Sequence, residues 1–377
     1  MSACLRRIGM IVLTLFAQAA FAHKPSDSYL IVDVPTSGSE VGVRWDIALR
    51  DLEIAVGLDA DGDGAITWGE LRAAQARVLD YALQRLAVSA DGGACALAPG
   101  DMLVDTHTDG AYAVLEIRAR CAGAPRTLEI GYHLLFDLDP THRGLLSLTA
   151  NGAVRTAVLS PDRAVQTFDL HDTSRWRTFA QFVADGTHHI WIGYDHMLFL
   201  ISLLLPAVLR RRDRRWEPVP SLRTALFGVL AVVTAFTLSH SITLTLAALG
   251  VVGLPSRLVE SGIALSVLLA ALNNIVPVVT RRAWLLAFGF GLVHGFGFAS
   301  VLADLGLPRD ALAISLAGFN IGVELGQLTV VLVLVPLIYL VRTRRFYRPV
   351  VLVGGSALIA LVAAVWLVGR VFGFGLG

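Results

Sequence analysis

The sequence predicts an α-helical membrane bundle of six transmembrane helices, preceded by an exported, mainly-β domain. Of the 377 residues, 55% are hydrophobic and only 16% are charged, whereas a soluble domain carries about 25% charged residues. This deficit is confined to residues 186–377, which contain six long apolar stretches. Residues 23–185 have the composition of an ordinary soluble domain, and a short apolar segment with an export signature precedes them.

The first 22 residues have the features of a secretory signal. Arg6 and Arg7 precede a short apolar run, and Ala20-Phe21-Ala22 forms a small-x-small cleavage site. The mature chain would then begin at His23. The alternative is an uncleaved first membrane helix.

Six apolar stretches follow, and each has about the 20 residues needed to cross a bilayer. They cover residues 189–209, 224–252, 258–280, 283–303, 311–341 and 350–369. Arginine-rich loops follow the first, third and fifth stretches, and positive loops remain in the cytoplasm. The sequence therefore predicts a multi-pass protein of the inner (plasma) membrane, with residues 23–185 and the C-terminus outside. No basic stripe with interleaved aromatic residues is present, so the sequence gives no support for nucleic-acid binding.

The exported domain shows short alternating runs, such as residues 28–34 and 112–117, that predict a small antiparallel β-sandwich. Residues 69–87 instead have a helical period. Cys95 and Cys121 are the two cysteines of this domain, and an even number in an exported segment predicts a disulfide. Two free buried thiols are the alternative.

Residues 59–70 match the twelve-residue calcium loop of an EF-hand, with aspartates at positions 1, 3 and 5, glycine at position 6 and glutamate at position 12. The loop would supply carboxylates, one backbone carbonyl and one hydroxyl, from Asp59, Asp61, Asp63, Ala65, Thr67 and Glu70. An acidic turn that caps the following helix is the alternative. Since EF-hands usually work in pairs, a single loop favours stabilisation of the domain over calcium sensing.

Ionisable side chains occur within the apolar stretches, where charged groups are costly and usually mark an ion path or a reactive site. The candidate ligands for a transition metal are His189, Asp195, His196, His240, His294 and Glu324, and the candidate supporting polar residues are Ser239, Ser241, Glu260, Asn274, Asn320 and Gln327. Taken singly, a membrane histidine or serine usually makes a helix–helix hydrogen bond. Their recurrence in five stretches favours a shared site that opens to the outside.

His189 and His196 are two helical turns apart, which on an unbroken helix separates them by about 10.5 Å along the axis. First-shell ligands lie only about 2 Å from their ion. Either His189 lies before the helix, or the helix breaks near Gly193, or two successive sites exist. We expect Asp195 to orient an imidazole on another helix.

These motifs resemble those of the HupE/UreJ family of membrane proteins, which is associated with nickel supply to hydrogenase and urease. The matching segments are His189-x5-Asp195-His196, Phe236–Ser241, Phe290–Gly295 and Phe319–Gln327. The first two are also similar to motifs of nickel/cobalt permeases. The exported domain is not part of the smaller nickel permeases of that family, so the resemblance implies a longer branch.

The leading hypothesis is a permease for a divalent transition metal, with nickel favoured by the resemblance over cobalt or zinc. The chain would thus be a transporter rather than an enzyme, and its partners would be the lipid bilayer, the metal ion and an exported or membrane metalloprotein. The second hypothesis is an intramembrane zinc-dependent hydrolase with Glu324 as general base. The third is a membrane-anchored accessory protein for an exported metalloenzyme.

Overall fold

A computed structural model describes residues 26–107, 110–171, 174–212, 215–280, 282–297 and 309–372. The described residues divide into two compact units, one formed by residues 26–175 with 309–312 and the other by residues 176–297 with 313–372. The predicted signal, residues 1–22, lies outside the described residues.

The first unit is β-rich, as predicted, and contains two sheets. One sheet has six strands in the order β5-β6-β2-β1-β8-β9, and the other has four in the order β10-β7-β3-β4. The strands are β1 Asp27–Val34, β2 Glu40–Ala48, β3 Leu86–Ala90, β4 Gly93–Ala94, β5 Ala96–His107, β6 Gly110–Arg120, β7 Thr127–Tyr132, β8 Arg143–Ala150, β9 Ala153–Leu159 and β10 Val165–Asp169.

The prediction of a purely antiparallel fold is wrong at one pair of strands. β1 pairs antiparallel with β2 but parallel with β8, with Asp27 opposite Arg143. A parallel pair needs a crossover connection, and here the chain passes through the second sheet before it returns beside β1. Alternation along one strand shows which face is buried, but it does not show which strand lies beside it.

The two sheets share one hydrophobic core. Alternate residues of β1 and β2, such as Leu30, Val32 and Trp45, are fully buried in the same cluster as Leu128 and Ile130 of the second sheet. At its edge, a disulfide joins Cys95 to Cys121 with their Cα atoms 4.3 Å apart, which confirms the predicted bridge.

Three short helices are inserted between β2 and β3. They are α1 Leu49–Val56, α2 Trp68–Ala73 and α3 Gln75–Leu83. The helical pattern predicted for residues 69–87 is therefore interrupted at Ala74 and ends early, because β3 begins at Leu86. Thr67 and Glu70 form a capping box at the start of α2, with each side chain accepting from the backbone of the other.

A chain of buried hydrogen bonds crosses the β-rich unit. The indole N–H of Trp45 donates to the Ser28 hydroxyl, which bonds the Tyr132 hydroxyl at 2.6 Å. The Tyr132 hydroxyl bonds Nε2 of His142 in turn. Because an indole only donates, the Ser28 hydroxyl accepts from Trp45, and its own hydrogen is free to point toward Tyr132.

The chain continues from the other nitrogen of His142 to helix α1. Nδ1 of His142 bonds the hydroxyl of Ser26, which donates to Asp51 at 2.7 Å. Burial lowers the pKa of His142 to about 4, and burial raises the pKa of Asp51. His142 is thus neutral with its proton on Nδ1, and the relay from Trp45 to Asp51 runs in one direction.

The second unit is a helical bundle with one β-hairpin. Its helices are α4 Arg175–Ile192, α5 Tyr194–Leu204, α6 Leu222–Ala248, α7 Ser256–Ile275, α8 Ala283–His294, α9 Arg309–Val341 and α10 Gly355–Phe372, with a π-helical segment at Tyr347–Gly354. The hairpin consists of β11 Leu209–Arg212 and β12 Arg215–Pro218.

Among the described residues, four segments are long and apolar enough to cross a membrane: Leu222–Ala248, Ser256–Ile275, Leu312–Val341 and Tyr347–Phe372. They correspond to the second, third, fifth and sixth predicted spans. The fourth predicted span contains the 12-residue helix α8, and residues 298–303 of that span lie outside the described part of the chain.

Residues 189–209, the first predicted membrane span, do not form one continuous helix. This stretch contains the end of α4, an interruption at Gly193, and the 11-residue helix α5. Gly193 has φ −71° and ψ 96°, which is extended backbone. Beyond Leu204, the chain turns into the arginine-rich hairpin near Pro206.

Glycines allow close contact between helices at two places. A Cβ added at Gly291 of α8, or at Gly295 directly after it, would collide with the backbone of α6. Gly318, Gly322 and Gly326 of α9 are similarly close to the backbone of α4. These contacts fix α4, α6, α8 and α9 around the polar side chains described next.

Candidate metal centre

The interruption at Gly193 brings His189 and His196 together. Their ring centroids lie 4.7 Å apart, although an unbroken helix would separate them by about 10.5 Å along its axis. A Cβ on Gly193 would lie 2.8 Å from the carbonyl oxygen of His189 and 3.0 Å from Nδ1 of His196. Of the three arrangements considered from the sequence, the break near Gly193 is the one observed.

Asp195 fixes the orientation of His196. One carboxylate oxygen of Asp195 lies 2.9 Å from Nδ1 of His196 and accepts its backbone N–H at 2.8 Å. The expectation that Asp195 would orient an imidazole on another helix is therefore wrong, because the break turns its side chain onto its own neighbour. With the proton held on Nδ1, Nε2 of His196 presents a lone pair, and this buried atom has no hydrogen-bond partner among the described residues.

His240 of α6 completes a group of three imidazoles. One ring nitrogen from each of His189, His196 and His240 lies within 4.8 Å of the other two. The side chain of His240 is fully buried, and neither ring nitrogen has a well-formed hydrogen bond within the described parts of the chain. The side chain of Asn320 lies beside this imidazole.

His294 of α8 adjoins the group without joining its shared ligand set. Its ring centroid lies 5.0 Å from that of His196, and its Nε2 lies 2.8 Å from the hydroxyl of Ser266 on α7. Because Ser266 donates its own proton to the carbonyl of Ile263, it accepts from Nε2 of His294. Nδ1 of His294 is then the atom with a lone pair, and it too is buried without a partner in the described structure.

Glu324 and Gln327 of α9 bond to threonines of α6. Thr234 donates to one oxygen of Glu324 at 2.8 Å, and Thr237 donates to the side-chain oxygen of Gln327 at 2.9 Å. The other oxygen of Glu324 is buried and has no partner among the described residues, and the same is true of the Asn320 side-chain oxygen. The structure places Glu324 at the α6–α9 contact and does not bring it into the three-imidazole group.

The other polar residues selected from the sequence make contacts within or between helices. Ser239 and Ser241 donate to carbonyls of their own helix. Asn274 donates to the carbonyl of Ser202 and to the hydroxyl of Ser356, and so connects α7 to α5 and α10. Glu260 accepts from Ser256 at 2.6 Å and lies 4.0 Å from the guanidinium of Arg370.

Sequence reasoning missed two polar side chains at this centre. Ser266 was overlooked because a single serine in an apolar helix has no distinctive spacing. Thr234 could have been found, because it lies one turn before Thr237 and because Thr234 and Glu324 are separated by the same 90 residues as Thr237 and Gln327.

The acidic loop of the β-rich unit forms a second group of oxygen ligands. Carboxylate oxygens of Asp59, Asp61 and Glu70 lie within 4.8 Å of one another. The loop connects α1 to α2, and it turns at Gly62 and Gly64, where φ is 74° and 82°. The amides of Thr67 and Ala60 donate to Glu70 and hold its pKa below the ordinary value.

The membrane unit matches a protein family over most of its length. The model of the family described as HupE / UreJ protein matches residues 165–370, more than half of the chain. A search of curated protein sequences gave no match. The matched residues include the three imidazoles, Asp195, His294 and the polar residues Glu324 and Gln327 of α9. Because the match covers more than half of the chain, the chain belongs to the HupE/UreJ family.

Proposed function

We propose that this protein is a membrane permease for a divalent transition metal, with nickel favoured and cobalt or zinc as alternatives. The observation that carries the proposal is the convergence of His189, His196 and His240, whose ligand atoms lie within 4.8 Å of one another. The HupE/UreJ family is associated with nickel and cobalt transport. Imidazole nitrogens suit all three metals.

Burial of the imidazoles supports a cation as their partner. A buried polar atom without a hydrogen bond costs about 1–3 kcal/mol. Nε2 of His196 is such an atom among the described residues, and a neutral His240 offers one further ring-nitrogen lone pair. A divalent cation would use these lone pairs, and Asp195 would keep His196 in the tautomer that binds metal.

The proposal includes six membrane crossings, with residues 23–185 and the C-terminus outside the inner membrane. Four apolar helices support a membrane location. The arginine-rich hairpin and the arginines after α9 favour the cytoplasmic side for these two connections. Metal would arrive from outside, exchange its water for imidazole nitrogens, and leave toward the cytoplasm.

Metal uptake by cells that express the chain tests the proposal. His196→Ala removes the imidazole that Asp195 orients, and we expect uptake of ⁶³Ni to fall to background. His188→Ala is the matched control, because His188 is an exposed histidine of the preceding helix α4. Full uptake by His196→Ala would refute the site. Tightly bound, stoichiometric zinc without uptake would favour the hydrolase instead.

We also propose that residues 59–70 bind Ca²⁺ and stabilise the β-rich unit. The convergence of Asp59, Asp61 and Glu70 supports this proposal, and Asp63, the carbonyl of Ala65 and Thr67 would complete an EF-hand ligand set. Calcium titration monitored by thermal denaturation tests it. We expect Glu70→Gln to abolish the calcium-dependent shift, whereas Asp101→Asn, at an exposed strand position, should leave it unchanged.

A further inference from the structure

Two phenylalanines contact the imidazoles on one side of the metal centre. Phe199 lies one turn after His196 in α5, and Phe236 lies one turn before His240 in α6. Their ring centroids are 5.1 Å apart, and each side chain is only 2% exposed. The ring of His294 lies 5.0 Å from Phe199 and 5.2 Å from Phe236.

A small cavity lies against this aromatic pair. It is lined by both phenylalanines and His196 and, farther along the helices, by Leu200, Leu203 and Val233. The amide of Gln327 is the polar group of its lining besides His196, and Thr237 holds that amide in place.

The lining residues show in which direction the cavity lies. Leu203 is two turns beyond His196 in α5, and Val233 is two turns before His240 in α6. The end of α5 and the start of α6 meet at the β11–β12 hairpin, where Leu209 pairs with Pro218. The cavity therefore lies on the side of the imidazoles that leads to the arginine-rich hairpin, which is cytoplasmic in the proposed topology.

We propose that Phe199 and Phe236 are the inner gate of the permease, and that Gln327 is the first polar contact for the metal beyond it. This inference rests on the proposed transport function. Two rings in contact exclude water, and a hydrated divalent ion does not enter a dry, apolar constriction. Transport then requires the rings to separate, and a metal bound to the imidazoles would pass between them toward the amide of Gln327.

Chemical labelling of an introduced thiol tests the gate without measuring transport. Leu203→Cys places a thiol in the cavity, and Cys95 and Cys121 do not compete because they form a disulfide. A small, membrane-impermeant thiol reagent is added to the outside of intact cells. We expect slow labelling when the gate is intact, and labelling about tenfold faster or more when Phe199→Ala is combined with Leu203→Cys.

Phe182→Ala is the matched control, because Phe182 is a buried phenylalanine of the membrane unit that packs on Gly318. It should destabilise the bundle by a similar amount without changing the labelling rate. If Phe199→Ala does not fold, Phe236→Ala replaces it, since it removes the other ring of the pair. A labelling rate that Phe199→Ala or its substitute leaves unchanged would overturn the gate.

Uptake measurements separate failure of the gate from failure of the proposed function. If uptake depends on His196 but the labelling rate does not depend on Phe199, the proposed transport function is supported and the proposed gate is wrong. If removal of Phe199 accelerates labelling while uptake is independent of His196, the aromatic pair still closes a pathway, but the metal assignment is wrong.

Discussion

Acidification is expected to weaken the β-rich unit through His142. Burial lowers the pKa of His142 from 6.5 to about 4. Below pH 6.5 the unfolded chain therefore binds a proton that the folded chain does not bind, so stability is lost as the pH falls from 6.5 to about 4. At 1.36 kcal/mol for each pH unit, the full loss is about 3 kcal/mol.

The hydrogen-bond relay explains why the folded chain resists this proton. Protonated His142 would donate from both nitrogens, so the Tyr132 hydroxyl would have to reverse and donate to Ser28. The Ser28 hydroxyl would then accept from both Trp45 and Tyr132, and its own hydrogen would lose the Tyr132 oxygen as its acceptor. Asp51 contributes to the pH dependence of stability with the opposite sign. Because its pKa is raised, the folded chain binds a proton at Asp51 more readily than the unfolded chain does, and this offsets part of the stability lost on acidification.

Hydrogen exchange of the β2 amides in detergent micelles measures the free energy of opening in the full-length chain. The rates at pH 7 and pH 4.5 are corrected for intrinsic exchange, and the variant His142→Asn is measured in parallel. Because both proteins retain Asp51, the difference between their free energies of opening reports the contribution of His142. We expect this difference to change by about 2–3 kcal/mol between the two pH values. A difference that does not depend on pH would refute the reasoning.

Three other variants probe features of the two units. Asp195→Asn should weaken metal binding by about 10–100-fold in equilibrium dialysis, because His196 loses the carboxylate that orients it; unchanged affinity would contradict that role. Gly291→Ala should lower the stability of the bundle by about 1–3 kcal/mol in thermal denaturation, because the added methyl group meets the backbone of Phe236. Gly228→Ala is the control and should leave the stability unchanged, because the space beside Gly228 is open. Cys121→Ser should destabilise the β-rich unit by about 2–4 kcal/mol, and wild-type protein under reducing conditions should show the same loss.

The sequence was most informative where a local rule determines the structure. Alternation predicted strands at residues 28–34 and 112–117, which are parts of β1 and β6, and the pair of cysteines in this domain predicted the disulfide. Each of these depends on side-chain chemistry or on spacing within one segment.

Contacts between segments that are distant in the sequence could not be predicted from local patterns. The parallel pairing of β1 with β8 depends on where the chain returns, and the bond between Ser266 and His294 depends on how α7 and α8 pack. Gly193 is a position where a helix can be interrupted, but glycine is also tolerated within helices, so the sequence is compatible with three arrangements. Only the packed structure distinguishes them.

The interruption at Gly193 also has an electrostatic consequence. His189 lies in the last turn of α4, where unpaired carbonyls give the helix a partial negative charge, and His196 lies in the first turn of α5, whose end is partially positive. A cation between the two rings is thus attracted by one helix end and repelled by the other. Asp195, also in the first turn of α5, offsets the positive end. The carboxylate therefore makes the start of α5 compatible with positive charge.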